Sequence, residues 1–108
     1  MAHIMCAIFA FGGTMIADEY IISTVIEPRY KQIVLKFPNR YGASLIQGDY
    51  SYAGKLGLCE MAVIYFNTDS EYDIDYNTYI ASDVLEYMTL ENVHETLEKI
   101  FNLPEKKT

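Results

Sequence analysis

Apolar residues follow two rhythms along this chain. Through the front and middle they fall in short runs and alternations of strand type, and near the end they recur at helical spacing. Ile4 to Phe11 is a continuous apolar run closed by Gly12-Gly13, which predicts a buried strand ending in a turn. In Thr14 to Ile26 the spacing of Met15, Ile16, Tyr20, Ile21, Ile22, Val25 and Ile26 fits a helix face, yet the β-branched cluster at its end favours a strand over Tyr20 to Ile26. Pro28 ends that strand. Lys31 to Phe37 predicts the next, with Ile33, Leu35 and Phe37 on one face, and Pro38-Asn39-Arg40 reads as a turn. Tyr41 to Gln47 begins another short strand, followed by a glycine- and tyrosine-containing loop from Gly48 to Gly57. Leu58 to Phe66 is almost continuously apolar, as a central strand would be.

Asn67 to Ser70 then turns the chain into Glu71 to Tyr76, which alternates cleanly. Period-two geometry puts Glu71, Asp73 and Asp75 on one face, expected to be wet, and Tyr72, Ile74 and Tyr76 on the other, expected to pack. Ser82 is positioned to cap a short helix over Asp83 to Tyr87. Thr89 is positioned to cap a second helix, whose stripe is Leu90, Val93, Leu97, Ile100 and Phe101, with Glu95 and Lys99 spaced to pair. Pro104 stops it, and Glu105 to Thr108 is expected to fray. Strands followed by terminal helices predict an α+β fold: a mainly antiparallel sheet of four to six strands with one or two C-terminal helices packed on one face.

The length of 108 residues suits one domain spanning 1–108. An apolar content of 51% and only six Gly and three Pro exclude a disordered or collagen-like chain. The eight-residue run from Ile4 to Phe11 is too short to span a bilayer, and no basic flank marks it as a signal peptide. Cys6 and Cys59 lie in apolar runs and read as buried free thiols, which fits a cytoplasmic setting.

The net charge of −7 is unevenly placed. Ten acids and no Lys or Arg fall between Leu56 and Glu98, while the cations cluster at Arg29, Lys31, Lys36, Arg40 and Lys55 and again at Lys99, Lys106 and Lys107. Such a field repels phosphate, so direct nucleic-acid binding is disfavoured and a protein with a basic surface is the expected partner. Ten Tyr and no Trp add rigid, polar-tipped contact area.

Known chemistries fit poorly. Neither Asp69 nor Asp73 starts an EF-hand, because position 6 would be Ile74 or Thr78 where Gly is needed, and position 12 would be Ile80 or Val84 where Glu is needed. Five residues separate Gly48 from Gly54 and Leu56 follows Lys55, so the phosphate-loop pattern fails. Gly12-Gly13 lacks the third glycine of a dinucleotide fingerprint. His3, His94 and the cysteines have no zinc spacing, and no pair announces a nucleophile and its base. The expectation is therefore a non-enzymatic protein with no metal and no cofactor.

Several stretches resemble a known group. Asn39-Arg40-Tyr41-Gly42-Ala43-Ser44, Gly57-Leu58-Cys59-Glu60-Met61-Ala62-Val63, Tyr76-Asn77-Thr78-Tyr79-Ile80, Asp83-Val84-Leu85-Glu86-Tyr87-Met88-Thr89 and the closing Ile100 to Pro104 resemble short proteins of tailed bacteriophages that have no assigned activity. The similarity covers Lys36 to Pro104 and carries no catalytic motif. It implies expression inside a bacterial cell and, by association, inhibition of a host enzyme or defence system. The expected partner surface is Asp69, Glu71, Asp73, Asp75, Tyr72, Tyr76, Asp83 and Glu86, one version of which mimics nucleic-acid charge. A second expectation is a small-ligand or nucleotide module in which Arg40, Tyr41, Tyr50, Tyr52 and Lys55 form a pocket. A third is a homodimer joined through an open sheet edge.

Overall fold

Three adjacent strands carry most of the buried apolar surface. A computed structural model describes residues 19–48 and 59–106. Its elements are β1 (Ile21–Ile26), β2 (Tyr30–Lys36), β3 (Tyr41–Gly48), β4 (Cys59–Phe66), β5 (Tyr72–Ile74), β6 (Leu85–Met88) and α1 (Leu90–Phe101). The strands form one antiparallel sheet in the order β1-β2-β3-β4-β5, with β6 also pairing β4. This is the expected α+β architecture, with one helix after the sheet. The strand expected over Ile4 to Phe11 and most of the 48–57 loop lie outside the described residues.

Alternation sets the two faces of the sheet. Ile33 and Leu35 of β2, Ala43 and Leu45 of β3, and Cys59, Met61 and Val63 of β4 point to one side and are fully buried. Val93, Leu97 and Ile100 of α1 close that side, as the helical stripe requires. On the other side Val34, Ile64 and Phe66 form a smaller buried group. Gly42 is required where β3 passes β2, because a Cβ there would lie 1.9 Å from the Leu35 carbonyl oxygen.

Caps and turns follow the sequence closely. Thr89 caps α1: its hydroxyl accepts from the Asn92 N–H at 3.2 Å, and the Asn92 side chain accepts from the Thr89 N–H at 3.3 Å. At the other end of α1, Tyr20, Phe37 and Phe101 pack ring to ring at 5.4–5.6 Å. The β2–β3 turn places Arg40 at φ 74°, a left-handed position that usually takes glycine. Its guanidinium offsets that strain by donating to the Phe66 carbonyl at 3.0 Å and to the Asn67 carbonyl, which fastens the turn to the end of β4.

Three local expectations are corrected. Residues 83–87 do not form a Ser82-capped helix, because Leu85–Met88 pairs with β4 and Tyr87 sits at φ 57°, outside any right-handed helix. The spaced pair Glu95 and Lys99 is exposed and forms no ion pair, as solvent competes for both charges. The segment after Pro104 does not fray up to Lys106, whose ammonium is held by Asp75.

Candidate functional site

The acidic segment lies on the outer margin of the sheet, where β4 offers one edge to two short strands. β5 pairs with the Ile64–Phe66 end and β6 with the Cys59–Met61 end. Asp73 stands opposite Tyr65 and Leu85 opposite Met61. At about 3.3 Å per residue, the Asp73 and Glu86 neighbourhoods are therefore separated by roughly 13 Å of strand. They are two acidic groups along one margin and do not form one continuous strip.

Within the first group the four expected carboxylates have different fates. Thr68 organises the turn, its hydroxyl accepting from the Glu71 N–H at 3.0 Å. Asp69, at the turn's tip, lies 3.5 Å from the Lys36 ammonium, which also donates to the Asp69 carbonyl at 3.1 Å. Glu71 is exposed, and so is Asp73, which accepts a 3.0 Å hydrogen bond from the Asn67 amide. Asp75 is only 6% exposed.

The period-two reading holds for β5, but its expected wet face is the helix side of the sheet. Asp73 and Asp75 face the side of Tyr65 and Val63, and the chain beyond α1 returns over this ground. Asp75 therefore leaves the expected partner surface, and an inward carboxylate takes its own lysine. Tyr72 stays half-exposed, its ring 5.1 Å from that of Phe66. Asp83 and Glu86 are exposed as expected, whereas Ile74 and Tyr76, expected to pack beside Tyr72, are 43% and 46% exposed at the outermost strand of the sheet, and Tyr79 and Tyr87 join them at 78% and 57% exposure. Tyr79 borders a hollow shared with Glu95, Glu98, Lys99 and Asn102 on the outer side of α1. The exposure of Tyr79 depends on how 76–84 crosses the molecule, which no local pattern encodes.

Around Asp75 is a group that sequence spacing did not bring together. The Lys106 ammonium lies 2.7 Å from Asp75 Oδ2, 4.3 Å from the Tyr65 ring centre and 5.8 Å from that of Tyr41. The two rings meet edge-on with centroids 4.8 Å apart, as the opposed pair Tyr41 and Tyr65 of β3 and β4. Asp75 Oδ1 accepts from the Asn77 N–H at 2.8 Å, and its own N–H donates to the Val63 carbonyl. Burial pushes the Asp75 carboxyl up, but the Lys106 ammonium and the Asn77 N–H outweigh it and hold it below the ordinary carboxylate value. Asp75 in turn raises the Lys106 ammonium, and burial foremost raises the Tyr41 hydroxyl.

The expected nucleotide pocket is not assembled by the described residues. Arg40 spends its guanidinium on two main-chain carbonyls, and Tyr41 is buried against Tyr65. Both lie at the start of β3, whereas the loop leaves from its far end, about 23 Å away along an eight-residue strand. Tyr50, Tyr52 and Lys55 lie outside the described residues. A different hollow, of about 360 Å³, opens on the helix-free face between Gln32, Ser44, Ile46, Glu60, Tyr72 and Val84. Among the described residues no group of three or more His, Cys, Asp or Glu is placed to hold a metal, and no helix is long and apolar enough to cross a membrane. No protein-family model, curated protein or solved structure matches the chain.

Proposed function

We propose that the protein works by stoichiometric binding to another protein, using exposed tyrosines and carboxylates along the β4–β5–β6 margin. The observation that carries this reading is the exposure of Tyr72, Ile74, Tyr76, Tyr79 and Tyr87 in a stretch that contains no Lys or Arg. Large, rigid, polar-tipped side chains left in water beside Glu71, Asp73, Asp83 and Glu86 suit an interface with a basic surface. The carboxylates steer the encounter and the rings supply buried area. The resemblance to tailed-phage proteins supports a bacterial host protein as the partner and its inhibition as the outcome, with occupation of a basic nucleic-acid groove as one form.

The test compares the wild type with two variants in pull-downs from bacterial lysate, followed by titration of the captured protein. Glu71→Ser/Asp73→Ser/Glu86→Ser should weaken binding more than tenfold and flatten its salt dependence. Tyr79→Ala/Tyr87→Ala should weaken it without changing the salt slope. Equal binding by all three proteins at ordinary salt rejects the reading.

A second reading, a homodimer, is favoured by β1. Among the described residues no strand pairs its outer edge, its six residues carry no charge, and Ile22 and Ile26 are 51% and 59% exposed. A concentration series in size-exclusion chromatography with light scattering decides it.

A further inference from the structure

We propose that Asp75, Tyr41 and Tyr65 form a binding site for an alkylammonium group, kept filled in this structure by the chain's own Lys106. The site adjoins the exposed surface described above at Asp73 but does not depend on it.

The walls of the site match this ligand chemistry. A compact cation on an aliphatic stem needs a fixed anion and electron-rich ring faces, with water held back from both. Asp75 supplies the anion, with its side chain only 4% exposed and its orientation fixed through Asn77. Tyr65 and Tyr41 supply the rings, 4.3 and 5.8 Å from the bound nitrogen. Asp75 Oδ2 is buried, and among the described residues its partner of opposite charge is the Lys106 ammonium. A buried carboxylate oxygen without a cation is strongly unfavourable, so removing Lys106 leaves a preformed demand for another ammonium.

Lys106 is well placed to be displaced. Its side chain is 46% exposed, and it lies past Pro104 in a segment with no regular structure. The hollow beside it, about 160 Å³ and bordered by Asn67, Asp73 and Asn77, opens to solvent and gives an incoming stem a route. A tethered competitor at millimolar effective concentration weakens an external amine without excluding it. The ligand class is a primary ammonium on an alkyl stem, from either a free amine or a lysine side chain.

The test is an NMR titration of the full chain and its Lys106→Ala variant with n-butylammonium, Nα-acetyl-lysine methylamide and, as the uncharged control, 1-butanol. The variant should bind both amines at least tenfold tighter than the wild type, with shifts centred on Tyr65, Tyr41 and Asp75, and should ignore butanol. Preference for one amine distinguishes a free-amine ligand from a lysine side chain. Adding Asp75→Asn to the variant should abolish the gain. If Lys106→Ala binds amines no better than the wild type, or no better than butanol, the pair is only a tether for the tail and the proposal fails. Should that variant not fold, Lys106→Met takes its place, and the wild type titrated with n-butylammonium should release the signals of residues 105 and 106 ahead of any other change. Simultaneous loss of all signals overturns the proposal.

Discussion

The Asn39 side-chain amide, in the β2–β3 turn, donates at 2.9 Å to the carbonyl of Ile100 in the last turn of α1. It also reaches the carbonyls of Phe101 and Leu103 at 3.2 and 2.8 Å, while its Oδ1 accepts from the Tyr41 N–H at 3.0 Å. One side chain thus serves both as a turn-former and as the C-terminal cap of a helix distant in sequence. Helix carbonyls left without partners are unfavourable when water is kept from them.

Replacing Asn39 tests that dual role. Asn39→Ala should destabilise the fold by about 2 kcal/mol, from the hydrogen bonds lost to the Phe101 and Leu103 carbonyls and to the Tyr41 N–H, while the Ile100 carbonyl keeps the Leu103 N–H. Asn39→Asp keeps the shape but loses the donors and adds negative charge at the negative end of the helix, so it should be at least as damaging. Urea midpoints of the three proteins measure the order.

Gly42→Ala should be among the most disruptive single changes in the sheet. The added methyl would meet main-chain oxygen of Leu35, which cannot swing aside as a flexible side chain would. Overpacking against backbone should cost about 3 kcal/mol or more. Circular dichroism and thermal midpoints should show a much less stable or unfolded chain, whereas Ala at the exposed Ser23 leaves both nearly unchanged.

The Asp75–Lys106 pair fixes a pH signature. The Asp75 carboxyl lies below its ordinary 3.8 when folded, so its contribution is complete above that value and is lost as pH falls through the folded one. The Lys106 ammonium lies above 10.5, so its contribution is complete below that value and is lost as pH rises through the folded one. Because the ammonium is half-exposed and screened, Lys106→Ala should cost about 1–2 kcal/mol at neutral pH. The difference from wild type should shrink toward zero in strong acid and in strong alkali, as chemical denaturation at each pH will show.

Cys59 is a buried free thiol whose value burial pushes up to about 11. In a Cys6→Ser background it should react with a thiol reagent at mildly alkaline pH at least 100-fold more slowly when folded than in urea, since roughly two units of pKa remove that much thiolate. Equal rates in both states would show that the β4–α1 packing around it opens readily.

How much of this was legible depends on whether each residue's environment is local. The strands from Ile21 to Phe66 and the cap at Thr89 follow from alternation, β-branching and a hydroxyl before a helical stripe, and they appear within a residue or so of their expected ends. Leu85–Met88 was misread because Leu, Glu and Met favour helix intrinsically, and only pairing with β4 makes them a strand. The parity of Asp73 and Asp75 was correct, but parity assigns a residue to a face without saying which face water reaches. That depended on Lys106, which crosses back over Tyr65 after the helix has reversed the chain. The exposed tyrosines were legible as a composition and not as a place.

Tiling β4's outer side with two unconnected scraps of strand has a further result. Each scrap holds its own end of β4, Ile64–Phe66 for one and Cys59–Met61 for the other, so a change that breaks one ladder removes none of the main-chain bonds of its neighbour. The ladders that join β1 to β4 share none of those bonds and stay complete whichever scrap is disturbed.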